Sequence, residues 1–447
     1  MGIIDQIDRA GIVGCGGAGF PTHRKLSPGT EYFIVNGAEC EPLLRTDRWL
    51  MLNKAPDLVR AVSALGRELG FSHCVFAVKA HYEEEIASLR SAIDAAGAPI
   101  AIHELESFYP AGDEQTIVYE VTGRVVPPGG LPGSVGAIVN NVATVYAVAQ
   151  AMEERPFTHK YLTVTGEVAR PVVLRVPIGT SYRDCLDLAG GPLVSSWFCV
   201  NGGPMMGKPV PMEEAENAVV TKTTSGILVL PAAGYHARTH DVDLRRMVNQ
   251  ARSACIQCSF CSQLCPRHML GHPLEPHRIM RAMATGRPVA DLLQEEVVQR
   301  AQLCCECGIC EVYACPMGLF PRKINGMLKR ELAAAKLRYA APDRDWTPSP
   351  MREARKAPSE KVAARAGVRD YYDYEIRDLV EGDPRRVEIP VQMHIGAPAV
   401  PTVSPGDRVQ AGDLIAQPPE GALGARIHAS LTGRVESVGQ RIAIVKE

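Results

Sequence analysis

Residues 255–266 read CIQCSFCSQLCP, and this stretch decides what the middle of the chain folds around. Its cysteines follow the C-x2-C-x2-C-x3-C-P run that binds [4Fe–4S] clusters. Three thiolates two residues apart wrap a short loop around one face of an iron–sulfur cubane, and the fourth, before proline, usually reaches a second cluster. The spacing therefore predicts Cys255, Cys258, Cys261 and Cys265 as cluster ligands.

A second run follows at residues 304–316, which read CCECGICEVYACP. Its candidate ligands are Cys304, Cys307, Cys310 and Cys315, and its last gap is one residue longer than that of the first run. Cys305 is an extra cysteine, and only one residue separates it from Cys307 where the loop needs two. In the crossed arrangement the two ligand sets are Cys255, Cys258 and Cys261 with Cys315, and Cys304, Cys307 and Cys310 with Cys265.

Cysteine usage along the whole chain also indicates metal binding. Nine of the fourteen cysteines lie between residues 255 and 315, and the other five are scattered. Zinc is the alternative to iron, because paired C-x2-C motifs also make zinc ribbons. A zinc site needs four ligands and no proline after the fourth, however, and a triplet plus a Cys-Pro occurs here twice, which favours iron–sulfur clusters.

Bulk composition excludes several classes of protein. The chain has 447 residues, 46% of them hydrophobic and 22% charged, which is an ordinary globular composition with room for about three domains. A formal net charge of −2 gives no reason to expect a nucleic-acid partner. No apolar run approaches the roughly 18 residues that span a bilayer, and acids occupy the N-terminus where a secretory signal needs a basic region. We therefore expect a cytoplasmic protein without direct membrane insertion.

Hydrophobic periodicity divides the chain into five regions with different patterns. They are an α/β unit with βαβ character at 1–155, a small α+β domain at 156–238, a helical region around the cysteines at 239–335, a linker or wrapping arm with little core potential at 336–386, and a β domain with Gly-Asp turns at 387–447. Two local predictions are a helix over residues 294–303 and a solvated helix face for the Arg/Lys run at 352–361.

A glycine-rich loop lies near the start of the chain, where residues 14–25 read GCGGAGFPTHRK. Glycines lack Cβ atoms, so backbone N–H groups can approach a phosphate or a flat ring, and Lys25 adds a point charge. Polar residues after a strand and on two further loops complete the candidate site. The site comprises the glycine loop at 14–25, the stretch 35–42 after a strand, the stretch 109–115 and residues 139–142. Because ligand sites gather at strand ends in α/β sheets, we expect these residues to form one site.

The glycine loop, Asn36 with the acids after it, and the Asn140-Asn141 pair together resemble the FMN- and NADH-binding subunit of respiratory complex I. They are more similar to the C subunit of Rnf electron-transport complexes and to its relatives, the cobalamin reductases of propanediol-utilisation microcompartments. Residues 202–207, GGPMMG, and residues 221–228, TKTTSGIL, are similar to the same two groups. The Rnf protein has its barrel-sandwich domain ahead of the flavin fold, whereas here that pattern lies at the C-terminus, as in the cobalamin reductases.

The resemblance implies a multidomain α/β and α+β fold. Its parts are a complex I-like FMN-binding α/β domain at 1–155, an SLBB (soluble ligand-binding β-grasp) domain at 156–238, a helical ferredoxin-like domain with two [4Fe–4S] clusters at 239–335 and, after the arm, a barrel-sandwich-hybrid domain at 387–447. The last domain resembles biotinyl and lipoyl carriers, but residues 428–433 read HASLTG and lack the attachment lysine.

The family's site residues carry over to matching positions. Gly14, Gly16, Gly17, Gly19 and Lys25 match the loop for the flavin phosphate. Asn36 matches an asparagine that contacts the flavin, and Glu39 and Glu41 match acids near the flavin and the nicotinamide. Tyr109, Glu114, Asn140 and Asn141 also fall on motif positions. Ala38 and Cys15 stand where complex I has Asp and Arg, so the NADH contacts depart from that family.

The resemblance implies an NADH-dependent flavin and iron–sulfur oxidoreductase with FMN, NADH and two [4Fe–4S] clusters and without classical catalytic residues. The expected acceptor is cob(III)alamin or cob(II)alamin. One alternative is an Rnf-like electron-transfer subunit that feeds ferredoxin, a quinone or a glycyl-radical system, and another is a binding module without catalysis. Candidate partners are a B12-dependent enzyme, an adenosyltransferase and a shell protein, and the implied location is the cytoplasm, including the interior of a bacterial microcompartment.

Overall fold

The computed structural model describes residues 2–240 and 242–447. Its first region forms strands and helices in alternation, as the βαβ pattern predicted. The strands are β1 (Tyr32–Gly37), β2 (His73–Lys79), β3 (Ile100–Leu105), β4 (Phe108–Tyr109) and β5 (Ala137–Asn141). The helices are α1 (Ile3–Arg9), α2 (Thr22–Lys25), α3 (Thr46–Asn53), α4 (Ala55–Leu69), α5 (Glu83–Ala96), α6 (Glu114–Thr122) and α7 (Val142–Ala151). A parallel sheet has the order β3-β2-β1-β5.

The chain reverses direction across this sheet at β1. It runs from β1 outward to β2 and β3 and then returns to the other side of β1 as β5. Ligands bind at such a switch point, at the carboxyl ends of the strands. Here Asn36 of β1 pairs in register with Asn141 of β5. Asn140 and Asn141 therefore end a strand, and Glu114 begins α6, so the prediction that these residues lie on loops was wrong.

The two faces of the sheet are covered by different helices. Phe33 and Val35 pack into the large core beneath α4 and α7, whereas Ile34 faces a smaller core under α6. Two helices beside the strand ends begin at side-chain caps: Asp113 accepts a hydrogen bond from a backbone N–H in the first turn of α6, and Asn141 does the same for α7. These caps hold the starts of both helices at the carboxyl edge of the sheet.

The second region is a mixed sheet with short helices, as its β-rich pattern predicted. Its elements are β6 (His159–Gly166), β7 (Val172–Pro177), α8 (Tyr182–Leu188), β8 (Trp197–Asn201), β9 (Lys208–Pro211), α9 (Met212–Ala215) and β10 (Gly226–Pro231). The strands lie in the order β7-β6-β10-β8-β9. The start of β6 points towards the first region, because Tyr161 contacts both Trp49 of α3 and Tyr146 of α7.

Short helices surround the cysteine loops. They are α10 (Tyr235–His240), α11 (Leu244–Ala254), α12 (Phe260–Gln263), α13 (Pro266–Met269), α14 (Pro276–Ala284), α15 (Val289–Leu292), α16 (Glu296–Gln299), α17 (Ile309–Val312) and α18 (Pro321–Ala334). The single helix predicted over residues 294–303 is instead α16 followed by a 3-10 turn at Arg300–Leu303. In the described part of the chain no helix combines the length and the apolar character that crossing a membrane requires.

The segment at 336–386 is an integral part of two sheets. It contributes β11 (Ala357–Pro358), which pairs with β4, α19 (Ser359–Arg365), and β12 (Leu379–Glu381), which extends the second sheet beside β7. Val362 and Val368 are fully buried, so the prediction of little core potential was wrong. The run at 352–361 is also not a solvated face, because the buried Arg352 guanidinium donates to Glu120. This polar segment is partly buried because it packs against the first region.

The C-terminal region is a small β-sandwich that packs against the glycine loop. Its strands are β13 (Arg386–Pro390), β14 (Val400–Pro401), β15 (Arg408–Val409), β16 (Leu414–Gln417), β17 (Ile427–His428), β18 (Gly433–Val438) and β19 (Arg441–Val445). The turn that carries the lysine in carrier domains is buried, and the Ser430 hydroxyl donates to the Ile178 carbonyl at 2.5 Å. Gly19 has a φ of +74°, and a Cβ there would lie 2.9 Å from the Met393 carbonyl.

Candidate functional site

A cavity of about 430 Å³ opens at the carboxyl ends of β1 and β5. Its volume is in the range of cofactor pockets. Eleven of the twelve residues predicted to bind the flavin line it: Gly14, Gly16, Gly17, Gly19, Lys25, Asn36, Glu39, Glu41, Glu114, Asn140 and Asn141. The twelfth, Tyr109, adjoins Pro110 of the wall, and its buried hydroxyl donates to the backbone carbonyl of Cys307 at 2.6 Å. We call this space the flavin cavity.

The glycine loop lies against the N-terminus of α7. The Cys15 N–H donates to Oγ1 of Thr144 at 2.9 Å, and Asn141 caps the helix by accepting a backbone N–H bond at 2.9 Å. A Cβ on Gly16 would lie 3.1 Å from the Asn141 side chain, whereas a Cβ on Gly17 would meet nothing within 4 Å. Open backbone beside a helix N-terminus is an arrangement that favours phosphate.

Asparagine side chains line the sheet edge of the cavity. Asn36 donates to the Gly112 carbonyl at 2.9 Å and accepts from the Ala38 N–H at 3.1 Å, so its amide is held in place. The side-chain N–H group of Asn140 is buried and has no acceptor among the described residues. A flavin ring carries carbonyl and nitrogen acceptors that would satisfy this donor. The residues present therefore fit FMN, with the phosphate towards the glycine loop.

Three carboxyl groups in the wall are shielded from water, and their pKa values rise accordingly. Burial, and then the nearby Asp47, raises the pKa of Glu39 well above its usual range. Burial raises the pKa of Glu41 to about 7, although the N–H groups of Met205 and Met206 donate to its carboxylate at 2.9 and 2.8 Å. Burial likewise raises the pKa of Asp47 to about 6. The cavity can thus hold protons on carboxyl groups near neutral pH.

The mouth of the cavity carries a separate, more exposed ion pair. The Lys25 ammonium donates to Glu114 at 2.5 Å, and both side chains are about one-third exposed. The exposed side chains of Phe20 and Met206 also line the cavity. This side of the cavity is therefore accessible from solvent.

The eight predicted thiol ligands form two groups, each of which mixes the two sequence runs. Cys315 of the second run joins Cys255, Cys258 and Cys261 around a small cavity that His277 also lines. The first three of these thiols are partly exposed, whereas Cys315 is buried. This first thiol group therefore lies close to the protein surface.

The second thiol group is deeper. Burial raises the pKa of the Cys265 thiol, and the neighbouring Cys305 and Cys304 thiols raise it further. Burial also raises the pKa of Cys310, with contributions from Cys304 and Cys265. Such electrostatic effects fall with distance, so Cys265 of the first run lies among the thiols of the second. Thiolates are the soft ligands that iron–sulfur clusters take, so the chemistry of both groups fits iron–sulfur clusters.

The second thiol group shares a wall with the flavin cavity, because Cys305 and Cys307 line that cavity. An ion pair joins the two sites from the side. Arg267, two residues after Cys265, donates to both carboxylate oxygens of Asp113 in the cavity wall, at 2.5 and 2.8 Å. The flavin cavity and the second thiol group therefore adjoin each other.

Several polar residues of the flavin cavity were missed in the sequence. Among them are Asp47, Asp113, Thr144 and Lys160. Asp113 carries a recognisable helix N-cap signal, and Thr144 follows the Asn pair within the first turn of α7. No local sequence pattern marks Asp47 or Lys160 as part of this site. Lys160 comes from a strand of the second region, far along the chain from the glycine loop.

Four family models match successive parts of the chain. They are the Nuo51 FMN-binding domain at residues 7–150, the SLBB domain at 161–209, the 4Fe-4S dicluster domain at 254–320 and the RnfC barrel sandwich hybrid domain at 375–447. The fold and site thus define a multidomain iron–sulfur flavoprotein oxidoreductase with an FMN-binding α/β domain, as the resemblance implied.

Full-length relatives identify the family within this class. The chain is 42% identical to the cobalamin reductase PduS of Salmonella typhimurium, over 99% of this chain and 96% of the relative. It is 40% identical to the protein of the same name from Citrobacter freundii, with the same coverage of both chains. The chain belongs to the cobalamin reductase PduS family. The C subunit of the proton-translocating ferredoxin:NAD(+) oxidoreductase complex of Clostridium ljungdahlii is 34% identical over 60% of this chain and 56% of its own.

Proposed function

We propose that this protein passes electrons from NADH through FMN and two [4Fe–4S] clusters to a corrinoid, as a cobalamin reductase. The observation that carries the proposal is the shared wall, in which Cys305 and Cys307 line the same cavity as the glycine loop. When bound, FMN accepts a hydride as two electrons, and the clusters transfer electrons singly. The chain's own task is to hold these groups side by side and to exclude water between them.

The flavin would be held by groups from three elements. The glycine loop and the N-terminus of α7 would take the phosphate, and Asn36 and Asn140 would orient the ring at the sheet edge. Glu39 and Glu41 line the same cavity with raised pKa values, which suits them to hold protons beside a group that gains and loses charge. NADH would enter at the exposed mouth marked by Lys25 and Glu114.

The crossed thiol groups would hold the clusters, with Cys304, Cys307, Cys310 and Cys265 around the inner one and Cys255, Cys258, Cys261 and Cys315 around the outer one. The outer group supports a direction for electron flow. Its loop exposes Ile256, Phe260 and Met317 to solvent. An acceptor could therefore approach the outer cluster closely, while the inner cluster adjoins the flavin cavity.

The acceptor is proposed from the relatives, since two cobalamin reductases match this chain over nearly its whole length. A B12-dependent enzyme, an adenosyltransferase or a microcompartment shell protein would then be the nearest partners, in the cytoplasm or inside such a compartment. The match to the RnfC barrel sandwich domain supports the second candidate, an electron-transfer subunit that feeds ferredoxin, a quinone or a glycyl-radical system.

The test is NADH-driven reduction of cob(III)alamin, followed by absorbance, with full-length protein purified and reconstituted without oxygen. Reduction supports the proposal, and its absence in protein that contains FMN and both clusters overturns it. Reduction of ferredoxin or a quinone without reduction of the corrinoid would select the second candidate. Protein that releases no FMN on heating would be a non-catalytic binding module.

Two neighbouring cysteines give a matched control for the clusters. Cys304→Ser should remove about half of the bound iron, because it takes one ligand from one of two cubanes. Cys305→Ser should keep all of it. Equal iron loss in both variants would contradict the ligand assignment without bearing on the acceptor.

A further inference from the structure

A second cavity, of about 410 Å³, lies behind the flavin cavity. Its walls come from α7, the start of β6 and a turn of the C-terminal region. The two cavities share a short stretch of wall made by Cys15, Ala143, Lys160 and Tyr161. The shared wall thus lies where the glycine loop meets the first turn of α7 and the first strand of the second region.

Lys160 is the unusual member of this wall. The residue is only 2% exposed, yet in the described part of the chain its ammonium group has no hydrogen-bond acceptor and no ion-pair partner. Lys222 shows what a structural buried lysine looks like here: it is 1% exposed and donates to the carbonyls of Gly11 and Arg426, both at 2.6 Å. The Nζ atom is not among the fully buried polar atoms and Lys160 lines both cavities, so its ammonium reaches cavity space and is placed to meet an anion that binds there.

The protein's own acids do not supply that anion. Asp47 is an acid that feels the charge of Lys160: burial raises its pKa, and the hydrogen bond from Asn141 and then the Lys160 charge lower it in part. The Asp47 carboxylate already accepts a hydrogen bond from the Asn141 side chain at 2.6 Å and forms no ion pair with Lys160 within the described residues. The ammonium therefore remains available to a ligand.

The neighbouring backbone selects the chemistry of that ligand. Helix α7 has ten residues, and its N-terminal turn faces the shared wall through Ala143. The positive end of the helix and the lysine charge act on the same space, beside the open backbone of the glycine loop. A phosphate group with two negative charges suits this combination better than a neutral ring edge does.

We propose that Lys160 is a further cofactor-contact residue whose ammonium group binds the phosphate of FMN at the N-terminus of α7. This inference rests on the proposed function, which places FMN in the flavin cavity. In this arrangement residues of two regions form the FMN site, because Lys160 lies on β6 of the second region and the glycine loop lies in the first.

Riboflavin provides the test, because it has the ring of FMN without the phosphate. Full-length protein stripped of flavin is titrated with each compound, and binding is read from flavin fluorescence. Lys160→Met should weaken FMN binding by about ten- to a hundredfold, the usual contribution of a hydrogen bond to a charged group. Riboflavin affinity should change by less than about twofold, and Lys160→Arg should bind FMN almost as the wild type does.

Two controls distinguish the loss of a contact between Lys160 and the phosphate from a general loss of folding. Lys208→Met removes an exposed lysine of the second region and should leave both affinities unchanged. Without flavin, Lys160→Met should unfold at nearly the same denaturant concentration as the wild type, because the ammonium makes no hydrogen bond or ion pair in the described part of the chain. Equal loss of FMN and riboflavin affinity, or no loss of either, would overturn the inference. Wild-type protein that binds neither flavin would instead count against the proposed function.

Discussion

The buried pair of Asp113 and Arg267 joins the flavin cavity to the loop of the second thiol group, and its removal should cost the protein much of its stability. The two side chains are 12% and 9% exposed and form two parallel hydrogen bonds of 2.8 and 2.5 Å. Burial alone would raise the pKa of Asp113, but the Arg267 guanidinium outweighs it and holds that pKa below the usual value. The carboxylate is therefore ionised and paired at neutral pH.

Asp113→Asn is the informative change, because asparagine keeps the size of the side chain and remains a good cap for α6. It leaves the buried guanidinium without a counter-charge, so we expect the free energy of unfolding to fall by about 3 to 5 kcal/mol. The matched control is Glu31→Gln. Glu31 forms the same two-bond pair with Arg124, at 2.7 and 3.0 Å, but both side chains are about 40% exposed. Glu31→Gln should therefore lower the free energy of unfolding by less than about 1 kcal/mol.

The assay is unfolding by guanidinium chloride without oxygen, followed by cluster absorbance and flavin fluorescence. The double variant Asp113→Asn with Arg267→Met should recover most of the stability lost by Asp113→Asn, because it leaves no unpaired buried charge. If Asp113→Asn and Glu31→Gln cost the same within about 0.5 kcal/mol, burial does not control the energy of this pair and the reasoning fails.

Three further predictions concern other contacts and residues of the site. Tyr109→Phe should cost about 1 kcal/mol of unfolding free energy by leaving the Cys307 carbonyl without its donor, and unchanged stability in the same unfolding assay would contradict it. The pKa of Glu41 is about 7 in the folded protein against an ordinary 4.5, so folding favours the protonated carboxyl group. Its contribution to the free energy of unfolding is therefore fully present below pH 4.5 and is lost as the pH rises through 7. Between pH 4.5 and 7 the free energy of unfolding of the wild type should therefore fall by at most about 3 kcal/mol more than that of Glu41→Gln. If the two proteins showed parallel profiles of unfolding free energy against pH, this prediction would be refuted. Gly19→Ala, at a φ of +74° and against the C-terminal region, should destabilise by about 1 to 2 kcal/mol, measured as a lower melting temperature, whereas Gly17→Ala should keep the wild-type value.

Local signals predicted the α/β character of the first region, and together with the family resemblance they predicted most of the flavin cavity. The strands at Phe33–Val35 and Cys74–Val78 and the helices between them follow from periodicity within a few residues, and the sheet confirmed them. Eleven predicted residues line one cavity because parallel strands bring their carboxyl ends to one edge. Predictions failed where distant packing decides burial, as at Arg352, which a charged run alone marks as solvated.

The chemistry of this protein can be read within short windows of chain: thiols at cluster spacing, glycines at a phosphate-type loop and the succession of four regions. How these parts meet could not be read there and came from the folded arrangement. It placed Cys307 in the flavin cavity wall, directed Tyr109 to the Cys307 carbonyl and brought the Lys160 side chain into the wall beside α7. The physical reason is that spacing is a property of neighbours along the chain, whereas desolvation and charge pairing depend on which surfaces the folded regions bury against each other.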